Sequence, residues 1–180
     1  MKTFLKEIAI TVVLALIIFF VARTSIQTYE VFMTSMEPNF SEGDRVVVNK
    51  AVYWFGKPQR GDVIIFEEPN GSTEDFIKRV IGIPGDTVEI RNQAIFVNGA
   101  RLEESYIMAP PTYTMASTTV PENSYFVLGD NRNFSNDSHH GWFVDEEKIH
   151  GKAWLITWPP DSWEFVPANK LGEQLPEATS

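Results

Sequence analysis

The sequence predicts a mainly β protein: an antiparallel β-sheet domain preceded by one N-terminal transmembrane helix. Three observations lead there. Residues 8–22 are apolar apart from Thr11. Short apolar runs separated by turn dipeptides then recur as far as Trp158. Outside the first segment, no stretch repeats its apolar residues at the helical period of about 3.6. With 180 residues, the chain has room for one medium-sized domain beyond that segment.

The start, Met1-Lys2-Thr3-Phe4-Leu5-Lys6-Glu7, is basic, and the apolar run follows it. Fifteen helical residues rise about 22 Å, short of a roughly 30 Å hydrocarbon core, so Phe4, Leu5 and residues beyond Arg23 must extend the span. The expected organisation is a short cytoplasmic start (1–3), an anchor (4–24), an extracytoplasmic β domain (25–160) and a flexible C-terminal tail (161–180). A cleavable signal peptide would share the basic start and apolar run, but Val21-Ala22-Arg23-Thr24 offers only a weak small-residue cut site. Lys2 and Lys6 precede the span and a lone Arg23 follows it. The positive-inside tendency therefore places the N-terminus in the cytoplasm, at the plasma membrane of the cell, and everything after about residue 23 outside.

Strands are expected at 45–49, 62–66, 76–81, 87–91, 94–97, 125–128 and 153–158. Gly43-Asp44, Arg60-Gly61-Asp62, Pro69-Asn70-Gly71, Pro84-Gly85-Asp86 and Asn98-Gly99 supply turns between them. Asn92-Gln93 separates two of these runs and Asn98-Gly99 begins another tight return, which predicts an antiparallel meander. Residues 103–123, rich in Pro, Thr, Ser and Met around Pro110-Pro111, read as an irregular insertion. Beyond Pro159, prolines among acidic and small residues predict the poorly ordered tail. Tyr53-Trp54-Phe55 reads equally as an aromatic belt on lipid or as a core strand. Trp142, Trp154, Trp158 and Trp163 are expected to pack.

Composition excludes several function classes. A formal charge of −9 argues against nucleic acid as a partner, because phosphate-binding surfaces need clustered Lys and Arg. The absence of cysteine removes disulfides, thiolate metal sites and a cysteine nucleophile. No metal or other cofactor is expected: adjacent His139 and His140 on a strand would point apart, and no His-Glu-x-x-His pair accompanies them. A Ser-His-Asp triad using His139, His140 or His150 stays open, although nothing resembles a nucleophile elbow.

Three segments could carry chemistry. In Phe76-Ile77-Lys78-Arg79-Val80, strand alternation puts Lys78 on one face with Phe76 and Val80, where desolvation would lower its pKa toward that of a general base. Arg79 would point the other way and need a carboxylate or solvent. A snorkelling lysine at a strand edge is the competing reading. Ser35 lies in Met33-Thr34-Ser35-Met36-Glu37-Pro38, a loop-like segment where Pro38 favours an extended Glu37. A serine here is a turn residue or, with a neighbouring base, a nucleophile. The third segment, Gly129 to Gly141, is a dense polar loop that reads as a self-satisfied turn or as part of a site.

Taken in order, these segments resemble the bacterial type I signal peptidases: an N-terminal anchor, Ser35-Met36-x-Pro38, Arg60-Gly61-Asp62-Val63, Lys78-Arg79-Val80-Ile81-Gly82-Ile83-Pro84-Gly85-Asp86, and Gly129-Asp130-Asn131-Arg132-x-x-Ser135-x-Asp137-Ser138. The resemblance covers residues from about 4 to 158. It implies a Ser-Lys dyad endopeptidase that removes signal peptides from exported preproteins. Ser35 would be the nucleophile and Lys78 the general base. Ser135 would hydrogen-bond and orient that lysine, Asp130 and Arg132 would support the wall of the site, and Asp137 would belong to the same support network. Met36 and Pro38 of the serine box would border the substrate. Implied partners are preproteins with small residues near the cut, and the lipid bilayer.

Two residues depart from the family pattern. Many members carry serine or glycine two positions before the nucleophile, where a serine hydroxyl can donate to the oxyanion; Met33 cannot donate, which leaves backbone N–H groups, that of Ser35 among them. The family's common Asp-Ser-Arg stands here as Asp137-Ser138-His139, so a pH-sensitive bridge would replace an arginine one. Other readings compatible with the sequence are a Ser-Lys processing peptidase of narrow range, a non-catalytic membrane-anchored β domain that binds exported peptides, and a secreted structural domain with a cleaved signal.

Overall fold

The computed structural model describes residues 2–69, 71, 74–167, 169 and 171–175. Helix α1 (Lys2–Ser25) runs directly into the first strand, and its large apolar side chains from Ile8 to Val21 are exposed. Its 24 residues rise about 36 Å, enough to cross a hydrocarbon core. Within it Thr11 Oγ1 donates to Glu7 O at 3.0 Å and Ser25 Oγ to Val21 O at 2.6 Å, each to a carbonyl one turn back. These two hydroxyls are thereby satisfied where water is scarce.

The remainder is antiparallel β, as the sequence predicts. The strands are β1 (Ile26–Glu30), β2 (Arg45–Asn49), β3 (Val63–Glu67), β4 (Asp75–Gly82), β5 (Thr87–Arg91), β6 (Ala94–Val97), β7 (Ala100–Arg101), β8 (Met115–Thr119), β9 (Ser124–Leu128), β10 (Val144–Asp145), β11 (Ile149–Trp158) and β12 (Glu164–Phe165). The larger sheet has the order β1-β2-β11-β3-β4-β9-β10, with β12 pairing on β11; the smaller is β7-β6-β5-β8. Strand β3 shows why the larger sheet reads as continuous apolar runs. Val63 and Ile65 enter a core with Met36, Phe40 and Val46, while Ile64 and Phe66 enter another with Val80, Tyr125 and Val127. Covered on both faces, the strand has no polar side to alternate with. A third core, with Val88, Ile90, Ile95 and Val97, joins the smaller sheet to Ile81 and Leu128.

The expected meander forms with primed-turn geometry. Asn92 and Gln93 have φ of 50° and 58° between the paired Arg91 and Ala94, and Asn98 and Gly99 have 51° and 79° between Val97 and Ala100. Left-handed pairs of this kind match the twist of the flanking strands.

Several expectations need correction. The 103–123 segment is not wholly irregular: β8 pairs with β5, placing Thr119 opposite Thr87 and Thr118 opposite Val88. It forms the edge of its sheet, so Met-Ala-Ser-Thr-Thr gives almost no apolar signal. Strand β1 has no counterpart among the expected strands, because Ile-Gln-Thr-Tyr-Glu is mostly exposed. The tail is not simply flexible. β12 pairs with β11, and Leu171 is buried in the core of the smaller sheet; residues 168, 170 and 176–180 lie outside the described set. Tyr53-Trp54-Phe55 is no core strand: it leaves the 3-10 turn Ala51–Tyr53 with Phe55 97% exposed, and its Tyr53 hydroxyl donates to Asp62 Oδ2 at 3.0 Å. Trp154, Trp158 and Trp163 are exposed rather than packed, whereas Trp142 sits against the Phe66 ring.

Candidate active site

Ser35 is in a short 3-10 turn, Thr34–Met36, that follows an extended Met33 and precedes an extended Glu37 at φ −61° and ψ 146°, as Pro38 requires. The turn is held from a distant part of the chain. Asn131 N–H donates to Ser35 O at 3.0 Å, and Asn131 Nδ2 donates to Thr34 O at 3.2 Å. Gly129 presses so closely against the Ser35 carbonyl and the Ser135 side chain that a Cβ at this position would collide with both. Only glycine allows that approach.

Lys78 comes from the middle of β4, and alternation works as the sequence predicts. Its Nζ lies 5.1 Å from the Phe76 ring centroid, on the face that also carries Val80. The nitrogen is 2.8 Å from Ser35 Oγ and donates to Ile77 O at 2.9 Å. Lys78 is 1% exposed and Ser35 3%. Burial pushes the lysine down from 10.5 to about 8, against the opposing pull of the Asp137 and Asp130 carboxylates. In its neutral form the amine has a lone pair, and at 2.8 Å the serine hydroxyl can donate to it. The snorkelling alternative is excluded by that burial.

Arg79 points to the opposite face and finds its carboxylate. Nε and Nη2 clasp Asp130 at 2.8 and 2.7 Å, with both side chains fully buried, and Nη1 donates to Gly61 O at 3.0 Å. Asn39 Nδ2 adds a bond to Asp130 at 2.8 Å. Arg132 pairs with Glu104 through two bonds of 2.8 and 2.6 Å and donates from Nε to Gly129 O at 3.0 Å. Asp137 is buried, accepting from Gly129 N–H at 2.9 Å and facing His139 Nδ1 at 2.6 Å. Arg60 holds Asp86 at 2.7 and 2.5 Å, closing the turn that leads into β5.

Three expectations about individual residues are not met. Ser135 makes no hydrogen bond to Lys78: its hydroxyl is buried without a partner among the described residues, packed over Gly129. Lys78 instead directs its donors to Ser35 and its neighbour's carbonyl. Met36 is fully buried in the core with Phe40 and Val46, so it braces the serine turn from behind rather than bordering a substrate. Pro38 lies on the turn's outer surface and also stays away from the cleft. The cleft, about 520 Å³, runs from the dyad between residues 28–33 and 74–78, with Tyr29, Val31, Met33, Ile65 and Ile77 among its walls.

Two of the three histidines sit on carboxylates instead. His150 Nε2 lies 2.8 Å from Asp75 and His139 is on Asp137, so Ser35 has Lys78 as its base-type partner. Sequence reasoning missed Asn39, Glu104 and Tyr106. Tyr106 is buried, its ring 4.4 Å from the Arg79 guanidinium carbon and 5.8 Å from that of Arg132, with its hydroxyl on Glu104 at 2.7 Å. Glu104 and Tyr106 fall in the segment read as an irregular insertion, and the need of two buried arginines for carboxylates was the one available signal.

A sequence model of the family described as "Signal peptidase, peptidase S26" matches residues 3–158. The chain belongs to that family. Among its relatives, the signal peptidase I of Leptolyngbya laminosa is 42% identical over 180 residues, covering 96% of this chain and 83% of the relative. The probable signal peptidase I-1 of Synechocystis is 39% identical over 186 residues, covering 93% of each. Signal peptidase IB of Staphylococcus aureus is 33% identical, covering 92% of this chain and 95% of its own length. A crystal structure of a signal peptidase I from Enterococcus faecalis shares 36% identity over 54% of this chain and 97% of that chain, with a TM-score of 0.47. Membership makes the chain a serine endopeptidase of mainly antiparallel β fold behind one apolar helix.

Proposed function

We propose that this protein removes N-terminal signal peptides from exported preproteins, with Ser35 as nucleophile and Lys78 as general base. The observation that supports the assignment is the 2.8 Å separation of Ser35 Oγ from a lysine nitrogen that burial keeps easy to deprotonate. In the first step neutral Lys78 takes the Ser35 proton as Oγ attacks the scissile carbonyl carbon. The Ser35 N–H, with Met33 unable to donate, stabilises the oxyanion. The lysine then passes its proton to the departing amine, and activates the water that hydrolyses the acyl-enzyme.

The substrate lies extended in the cleft between residues 28–33 and 74–78, where backbone bonding supplies affinity and apolar walls admit small side chains. Helix α1 anchors the enzyme with its N-terminus in the cytoplasm and the β domain outside. Thr28 at the cleft wall is three residue steps beyond Ser25, the end of α1, a reach of roughly 10 Å at most, so the cleft opens beside the bilayer. Asp130, Arg132 and Asp137 fix the Gly129–Asn131 backbone that holds the serine turn.

The test is cleavage of a preprotein by detergent-solubilised enzyme. Ser35→Ala and Lys78→Ala are each expected to abolish turnover while far-ultraviolet circular dichroism stays that of the wild type. Full activity in either variant would remove the dyad assignment.

A further inference from the structure

A second cavity, about 420 Å³, opens where α1 gives way to β1, and its lining is Arg23, Thr24, Ile26, Gln27 and Lys50. The antiparallel register explains why Lys50 is there. Ile26 stands opposite Asn49, so the next residue of the chain comes opposite Ser25, and Lys50 N–H donates to Ser25 O at 2.7 Å. Arg23 lies in the last turn of α1. Two cations from distant parts of the chain therefore meet at the end of the apolar helix.

Neither cation has a carboxylate at ion-pair distance among the described residues. Other exposed cations do: Lys57 pairs with Glu146, Arg91 with Glu89 and Lys148 with Glu67. Lys50 Nζ donates only to Gln27 Oε1, at 3.4 Å, although its other side borders a cavity with Glu122, Asp145, Glu146 and Glu147. The Thr24 hydroxyl is committed to Phe20 O at 2.9 Å, so the side-chain cations are the principal donors facing the cavity. The C-terminal end of a helix is electronegative and by itself opposes an anion; here Lys50 N–H covers Ser25 O, and Arg23 adds a cation in the last turn. Ile26, 44% exposed, gives the cavity an apolar border.

Depth decides what can reach this place. Lys6 and Arg23 stand about 26 Å apart along the helix axis, close to the roughly 30 Å of a hydrocarbon core, so each sits near one of its boundaries. That is the level of lipid phosphates. A guanidinium fork and an ammonium suit phosphate oxygens, and the lining has no acidic residue to receive a choline or ethanolamine cation.

We propose that Arg23 and Lys50 bind the phosphate of an anionic phospholipid at the end of the membrane helix. The inference rests on α1 spanning the bilayer. The bound lipid bridges the last turn of α1 to the end of β2, and so steadies the start of β1, whose later residues from Thr28 onward line the cleft.

The test is native mass spectrometry of the full-length protein in non-ionic detergent with equimolar dioleoyl phosphatidylglycerol and dioleoyl phosphatidylcholine. Wild type is expected to retain phosphatidylglycerol preferentially. Arg23→Gln and Lys50→Gln should each lower that preference about fivefold, whereas Lys50→Arg should keep it. Arg91→Gln, a cation paired elsewhere, should leave it unchanged. No preference in wild type, no loss in Arg23→Gln and Lys50→Gln, or an equal loss in Arg91→Gln overturns the proposal. Inorganic phosphate in excess is expected to leave the lipid bound; displacement would make this a free-anion site and overturn the lipid assignment. Carbonate extraction of membranes holding the full-length protein separates the two readings. Release into the supernatant defeats the anchor itself, whereas retention without a phosphatidylglycerol preference defeats only the lipid site.

Discussion

Lys78 illustrates how one residue's function opposes stability. Below about pH 8 the ammonium is protonated in both native and unfolded chains, and the native state bears the full cost of desolvating it. Between about 8 and 10.5 the unfolded chain still binds the proton while the native chain has released it, so stability climbs with pH; above 10.5 the contribution vanishes. The cost at neutral pH is on the order of 3 kcal/mol. Lys78→Met, of similar length and without a charge, is expected to melt at a higher temperature than wild type at pH 7, with the gain shrinking as pH rises toward 10.5. Thermal unfolding followed at several pH values checks this. A gain that did not depend on pH would show that packing, not the buried charge, sets the difference. The apolar face behind Lys78 was legible from alternation alone, because strand geometry fixes where every second side chain goes. That the Ser135 hydroxyl would miss Lys78 was not, because a hydrogen bond depends on placements of tenths of an ångström that sequence order does not encode.

At the scale of elements, β4 serves two sites through its two faces. Lys78 meets the serine turn, and one residue later Arg79 reaches Asp130 and thereby fixes the loop that holds the same turn. Removing one member of a buried pair leaves the other charge uncompensated. Arg79→Met is expected to lower stability by about 3–5 kcal/mol in denaturant unfolding, and adding Asp130→Asn should recover part of the loss. Equal stability of the single and double variants would mean that Asp130 is held by Asn39 well enough to need no guanidinium. The meander of β5 to β7 was readable because Asn92-Gln93 and Asn98-Gly99 are local signals. Strands β1 and β8 were not: half-exposed edges carry polar residues, and their pairing is chosen by the partner strand.

Across the whole molecule, the C-terminal segment ties the two sheets together. Leu171 is buried among Ile81, Val88 and Leu128, and Gln174 Oε1 accepts from Glu103 N–H at 3.0 Å, next to the Glu104 that clasps Arg132. A segment expected to be a loose tail thus buttresses the far wall of the site. Leu171→Ala is expected to cost about 2–4 kcal/mol by calorimetry or chemical denaturation. A loss below about 0.5 kcal/mol, typical of exposed positions, would show that the tail does not dock in solution.

The sequence by itself determined the apolar helix, the antiparallel β class, the tight hairpins, and which serine and which lysine to bring together, since periodicity, turn chemistry and ordered motifs are written locally. Tertiary structure decided the rest. Only the fold could show that Ser35 Oγ and Lys78 Nζ lie 2.8 Å apart across 43 positions of chain, that Met36 faces the core, and that Glu104 neutralises Arg132 while the Tyr106 ring lies against both Arg79 and Arg132. The physical reason is that burial and charge pairing belong to the space between elements, where residues distant in sequence displace water together.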